Sequence, residues 1–299
     1  MFLYLKENNL PLILVTGSGG QLGSEFKKIA SRFPGCKFIF ADRASLPIED
    51  RSAVQKYFSE HPISICINCA AYTAVDKAEM EREQAFLINA IAVGYLAEIC
   101  AQRKVLFIHF STDYVFDGSS SHPYQETDPT APINAYGESK LKGEQLALIA
   151  NPSSVIIRTS WLYSASGNNF VKSMLQLMRE KETISVVDDQ VGCPTNAEDL
   201  AMAVMALIER FPAAINRSPL IFNFSNEGTT SWCGFAQAIK EYTGSPCKII
   251  PIATAQYPTV AKRPAYSVLD AAKFRTTFAL NISGWKKSLY GCLESIRTK

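Results

Sequence analysis

Residues 12–26 read LILVTGSGGQLGSEF. Four apolar residues and a threonine make a run of strand length, glycines follow at 17, 20 and 23, and a helical pattern begins at once. A strand that turns on glycines into a helix opens a nucleotide-binding sheet. The glycines permit the tight turn and let the backbone approach a pyrophosphate, whose charge rests against the helix N-terminus. The spacing departs from G-x-G-x-x-G because position 22 is leucine, so Gly17, Gly20 and Gly23 are candidates on context as much as on pattern. A second run, KFIFA (37–41), leads to Asp42 and Arg43, where an acidic residue meets an adenosine ribose. Asp42 suits the 2′-hydroxyl of NADH and Arg43 the 2′-phosphate of NADPH, which leaves both dinucleotides open.

Further runs at 63–68, 105–110 and 154–158 are apolar at nearly every position, and helical patterns at 21–33, 52–61, 83–103 and 138–150 separate them. Strands without alternation are covered on both faces, which predicts an α/β fold with a Rossmann-type, doubly wound parallel sheet. After residue 158 the order loosens into loops, TSWLYSASGNNF, DDQVGCPTN and YPTVAKRPAYS, with helices at 196–211 and 231–243 and strands at 220–224 and 247–250. The expected organisation is a dinucleotide-binding domain over 1–158, to which 196–224 returns, and a smaller C-terminal substrate lobe from 159–195 and 225–299.

Composition narrows the function. The chain has 30 Lys and Arg against 28 Asp and Glu and no long basic run, so a nucleic-acid partner is not expected. No apolar stretch approaches membrane length, and MFLYLKENNLP lacks the apolar region of a signal peptide, so a cytoplasmic protein without a membrane partner is expected. Cys66 and Cys69 have the C-x-x-C spacing of zinc and redox sites, but no second pair exists and the three histidines are scattered. Inside ISICINCAA they read as core packing.

The stretch NAYGESKLKG (134–143) sets Tyr136 and Lys140 one helical turn apart on one face. A tyrosine with an ordinary pKa of about 10 is a reluctant acid, and a neighbouring ammonium would favour the phenolate. Tyr136 is then the acid that protonates a carbonyl oxygen as hydride arrives, with Lys140 tuning it and anchoring a nicotinamide ribose. The run VLFIHF ends in STDYVFDG, bringing Ser111, Thr112 and Asp113 to the sheet edge where open α/β sheets bind ligands. The Thr112 hydroxyl there would stabilise negative charge on the same oxygen. At the end of 63–68, Ala70 and Ala71 are small enough to let a cofactor lie close.

These motifs, with AAYTAVDKAE, YGESKLKGE, RTSWLY, GNNF, DQVGCPT and KRPAYS in the same order, resemble the dTDP-4-dehydrorhamnose reductases of the extended short-chain dehydrogenase/reductase family. The resemblance implies reduction of the C4 ketone of dTDP-4-dehydro-L-rhamnose by NADPH or NADH, giving dTDP-L-rhamnose for cell-surface polysaccharide. It puts the catalytic roles on Thr112, Tyr136 and Lys140, and cofactor contacts on Gly20, Gln21, Leu22, Ala71, Tyr72 and Thr73. It puts sugar-nucleotide contacts on Asp113 and Trp161. Trp161 offers an apolar face for a deoxy sugar, Asn168 and Asn169 offer hydrogen bonds, and the Arg263 fork matches a diphosphate.

The chain starts about ten residues earlier than is usual in that family, and this extension is expected to be unstructured or lightly packed. Some members dimerise through magnesium held by glutamates. Glu25 and Glu198 match two of these, whereas Glu294 stands one place before the third, which Ser295 occupies, so a monomer and a magnesium-bridged homodimer both stay open. A sugar-nucleotide dehydratase would follow Thr-Asp with glutamate, where this chain has Tyr114. A non-catalytic NADP-binding subunit, similar to the regulatory subunit of methionine adenosyltransferase, is the alternative, against which stand the intact RTSW, GNNF and DQVGCPT motifs.

Overall fold

The structure, a computed structural model, describes residues 10–214 and 220–298. The early extension expected to be lightly packed lies mostly outside them. Six strands form one parallel sheet in the order Leu220–Asn223, Val155–Thr159, Leu106–Thr112, Ile65–Asn68, Leu12–Thr16, Lys37–Ala41. From the first strand the chain winds one way to the second and the other way through the third to the sixth. The direction reverses at the carboxyl ends of the first and third strands, which is where such sheets form their crevice.

Burial explains the apolar strands. Ile13 and Val15 face the helices Gln21–Ile29 and Ala197–Ala214 through Phe26, Ile29, Leu200 and Val204. Leu14 faces the other way, onto Val54, Val93 and Leu96 of the helices at Arg51–Glu60 and Arg82–Gln102. Both faces are covered, as the fold class requires. A separate apolar cluster joins Tyr163, Val171 and Met174 to Phe235, Trp285 and Leu289, and forms the core of the C-terminal lobe. Phe274, Phe278 and Ile282 instead pack into the main core, so the segment around them belongs with the sheet rather than with that cluster.

Several elements differ from expectation. The 159–195 region holds a helix, Phe170–Glu180, and a strand, Thr183–Val187, that pairs in parallel with Lys248–Ile252. A last helix runs over Trp285–Arg297. The Tyr136 helix begins at Ala135, because Asn134 Oδ1 accepts from Gly137 N at 2.8 Å and caps it. The Arg82–Gln102 helix is long and apolar enough to cross a membrane by length and composition, contrary to the reading that no stretch approaches that length. Half of its most apolar window is buried inside the protein, against the sheet and the Tyr136 helix, which accounts for its composition.

That helix widens into a π-turn at Leu87–Ile91, and the turn bears on the Tyr136 helix. A Cβ on Gly143 would collide with the Asn89 carbonyl, so only glycine lets the two backbones lie this close. Asn89 Nδ2 then reaches Ser139 Oγ (3.0 Å) and Tyr72 O (2.9 Å), while its Oδ1 accepts from Tyr72 N (2.8 Å). One side chain thereby ties the loop after the third strand to the Tyr136 helix. Gly143→Ala should lower the urea midpoint: a Cβ far inside contact distance of a rigid backbone carbonyl puts the cost of overpacking at about 3 kcal/mol or more. This outweighs the gain in helix propensity of about 1 kcal/mol, and an unchanged midpoint would refute the close approach.

Candidate active site

The crevice is built from strand ends. Gly17 has φ +60°, and a Cβ there would lie 2.5 Å from Ala70 N, so the first and third strand ends meet only across glycine. The next helix starts at Gly20 with no side-chain cap, leaving its first N–H groups for an anion. Gly23 and Leu22 are buried in that first turn. Gln21 reaches across the crevice, its Oε1 accepting from Asn169 Nδ2 at 2.9 Å.

Asp42 follows the second strand and accepts from Ser45 N and Ser45 Oγ, both at 2.9 Å, bonds that hold its carboxyl below the usual range. Arg43 pairs with Glu49 at 3.0 Å and is mostly exposed. Ala70, Ala71, Tyr72 and Thr73 line the stretch beyond the third strand, where Tyr72 Oη donates to Glu81 at 2.7 Å and is pushed up to about 12 by that bond.

Thr112 ends the fourth strand, and its Oγ1 donates to Asp113 Oδ1 at 2.9 Å. Asp113 is 2% exposed, and burial pushes its carboxyl up to about 7. Ser267 stands close enough to draw that carboxyl down in part, but Asp113 Oδ2 has no partner of good hydrogen-bond geometry among the described residues, and the same holds for Ser111 Oγ. Buried oxygens without partners are costly, which marks them as places for ligand groups. Tyr136 packs edge-on to Tyr114 at 5.8 Å and is pushed up to about 12 by burial, against the opposing effect of a hydrogen bond with Thr112.

Lys140 corrects one expectation. It was expected to lower the Tyr136 pKa, but the groups acting on that phenol are its buried surroundings, Thr112 and Asp113. The Lys140 Nζ turns toward the sheet instead, donating to Phe110 O at 2.6 Å and lying 3.4 Å from His109 Nε2. Burial pulls it down to about 8, opposed by Glu144, which itself is paired with Arg158 at 2.7 Å.

The lobe residues diverge further. Trp161, at φ +47°, stacks on Trp232 with ring centroids 3.6 Å apart, and its ring also packs against Gly192. It is therefore a partly covered wall rather than the open face expected. Asn169 is not aimed at a ligand: its Oδ1 caps a helix at Lys172 N (3.1 Å), and its Nδ2 bonds Gln21 and Ser164 O at 2.9 Å. Arg263 pairs with Asp76 at 2.7 Å across the rim of the crevice, and Ala261 N donates to the same carboxylate at 3.0 Å.

Magnesium, left open by the sequence, gains no support from the described residues. Lys28 lies 3.6 Å from Glu25 and 2.5 Å from Glu198, supplying the positive charge a divalent ion would bring, while Glu294 bonds Tyr242 at 2.6 Å. Among the described residues no group of three or more His, Cys, Asp or Glu is arranged to hold a metal. Cys66 is buried in the sheet, as its apolar run implies.

Sequence reasoning missed Asn68, Asn89, Asn134 and His109. For Asn68, Asn89 and His109 the legible signal was a polar residue at the end of, or within, an otherwise apolar element; for Asn134 it was an asparagine just before a helical pattern.

Comparison with known proteins identifies the family. The family model for the RmlD substrate binding domain matches residues 12–298. A dTDP-4-dehydrorhamnose reductase of Sinorhizobium fredii is 42% identical over 281 residues, 92% of this chain and 94% of that protein. Among solved structures, a dTDP-4-dehydrorhamnose reductase of Bacillus anthracis in complex with NADP is 36% identical, with a TM-score of 0.91 over 96% of this chain and 100% of that one. The corresponding structure from Clostridium acetobutylicum is 39% identical, with a TM-score of 0.90 over 96% and 99%. At 18% identity, a UDP-glucose 4-epimerase from Bifidobacterium longum shares the fold, with a TM-score of 0.79 over 96% and 98%. A match that runs from the first strand to the last helix, at these identities, places the chain in the dTDP-4-dehydrorhamnose reductase family.

Proposed function

We propose that the protein reduces the C4 ketone of dTDP-4-dehydro-L-rhamnose with NADPH or NADH, Tyr136 acting as general acid. The observation that carries this reading is the meeting of Thr112, Asp113 and the Tyr136–Lys140 helix beside an uncapped glycine turn. The turn fits a dinucleotide: open space lies beside Gly19, and the helix that follows Gly20 starts with no side-chain cap on its first N–H groups. Gly17 to Gly23 would hold the pyrophosphate, Asp42 or Arg43 the adenosine ribose, Ala70 to Thr73 the flank, and Tyr136 with Lys140 the nicotinamide ribose. When bound, the reduced nicotinamide supplies a hydride. The Bacillus anthracis relative, solved with NADP, supports the assignment.

The chain's own residues supply the proton and the orientation. A phenol pushed up to about 12 keeps its proton at any working pH, as a donor to a carbonyl oxygen must. What it lacks is acidity. The Thr112 hydrogen bond favours the phenolate. Asp113 Oδ2 meets a sugar hydroxyl, Trp161 walls the sugar, and Arg263 exchanges Asp76 for a diphosphate.

Purified protein given dTDP-4-dehydro-L-rhamnose should consume reduced nicotinamide, read by its absorbance. Folded protein that binds NADPH but turns over nothing would favour a non-catalytic, regulatory role. Tyr136→Phe should lower kcat by about 10²–10⁴-fold, while the Kd for NADPH changes little. Full retention of kcat would remove Tyr136 from the acid role.

Asp113→Asn separates stability from function. A carboxyl raised from 3.8 to about 7 favours the fold at low pH and loses that contribution as pH rises to about 7. Near pH 8 the charged form therefore costs up to about 4 kcal/mol, and Asn should raise the urea midpoint there but not below pH 4. The same variant should raise KM for the sugar nucleotide. A midpoint shift equal at both pH values would contradict the buried carboxylate.

A further inference from the structure

A line of buried side chains joins two strand ends, through His109 within the fourth strand, to the Tyr136 helix. Asn68 Oδ1 accepts from Ala70 N at 3.2 Å and from Thr16 Oγ1 at 2.7 Å. A backbone N–H can only donate, so the Asn68 amide is oriented with its nitrogen on the far side, 3.0 Å from His109 Nδ1. That nitrogen donates, so Nδ1 accepts, and a neutral ring must carry its hydrogen on Nε2. His109 is fully buried, and burial followed by the charge of Lys140 keeps it neutral. Its Nε2 is the atom that lies 3.4 Å from Lys140 Nζ.

An N–H that faces an ammonium is a donor facing a donor, whereas one that faces an amine has a lone pair to bond. We infer that Asn68 and His109 are positioning residues for Lys140: by fixing the imidazole tautomer they hold an N–H against Nζ, which favours the amine here and turns the ammonium out toward Tyr136 and the crevice. Lys140 is then a lysine that exchanges its proton near the working pH rather than a permanent cation. Its pKa of about 8, lowered by burial, agrees with this.

The other charged and titratable groups around it are accounted for. Glu144 on the same helix acts in the opposite direction, and Arg158 of the fifth strand engages it. Asp113 and Tyr114, beyond the fourth strand, lie toward Tyr136. On the Arg82–Gln102 side Lys140's helix meets Asn89, which is neutral, while Glu79 caps its start by accepting from Ala135 N at 2.8 Å.

The kinetic arm of the test rests on the reductase reading, and the spectroscopic arm does not. With only three histidines in the chain, ¹⁵N-histidine NMR of the full-length unliganded protein can be assigned using His61→Gln and His122→Gln. His109 should show an unprotonated Nδ1 and a protonated Nε2 across neutral pH. A protonated Nδ1, or an imidazolium, would overturn the inference. Asn68→Asp keeps the shape and both incoming bonds but accepts from Nδ1, so the tautomer should reverse and Nε2 should accept from the ammonium. Activity that needs the ammonium is lost as pH rises through the lysine pKa, so the alkaline limb of kcat/KM should move up by about one pH unit. A limb and a tautomer that both stay in place would refute the coupling. Should the aspartate variant fail to fold, the wild-type spectrum decides alone. Absence of turnover in folded wild type would count against the reductase reading and leave the tautomer result intact.

Discussion

The crevice follows from one constraint: parallel strands covered on both faces hold few polar side chains before their ends, and one that does lie within a strand, His109, must find buried partners in Asn68 and Lys140. Thr16 and Asn68 close their strands in register with each other and with His109, and the fourth strand runs three residues further to end at Thr112. The glycine turn, the loop after the third strand and the Tyr136 helix all gather at these ends. Chemistry collects there because the sheet leaves it little room elsewhere.

The sheet was legible because this constraint writes itself into composition. Strands apolar at every position, spaced by helical patterns, leave few alternatives. The lobe was harder to read. The helix at Phe170–Glu180 follows GNNF, whose two asparagines look like ligand contacts, yet Asn169 is that helix's N-cap. A capping asparagine and a binding asparagine are the same residue type, and only tertiary contact separates them. The strand at Thr183–Val187 depends on Lys248–Ile252, more than sixty residues away, for its partner.

The sequence made legible which strand ends and which helix meet at the crevice, and less of the electrostatics there. Helical spacing brings Tyr136 and Lys140 near each other whatever surrounds them. It says nothing of Phe110 O or His109, which draw the lysine toward the sheet. Trp161 likewise sits in the crevice region, but its stacking on Trp232 depends on a residue seventy-one positions later. Charge and packing at a site are properties of the assembled neighbours, and a one-dimensional pattern records only the neighbours that are near in sequence.

The π-turn at Leu87–Ile91 has a consequence for phase. Ala85, Asn89, Val93 and Ala97 repeat at intervals of four, and all are fully buried. At 3.6 residues per turn, twelve residues overshoot three turns by about 120°, which would swing Ala97 away from the face that Ala85 occupies. Absorbing one extra residue in the wide turn cuts the drift to about 20°. The irregular turn is what allows a period-four stripe to remain straight, and Asn89 is carried within that stripe to the point where the two helices touch.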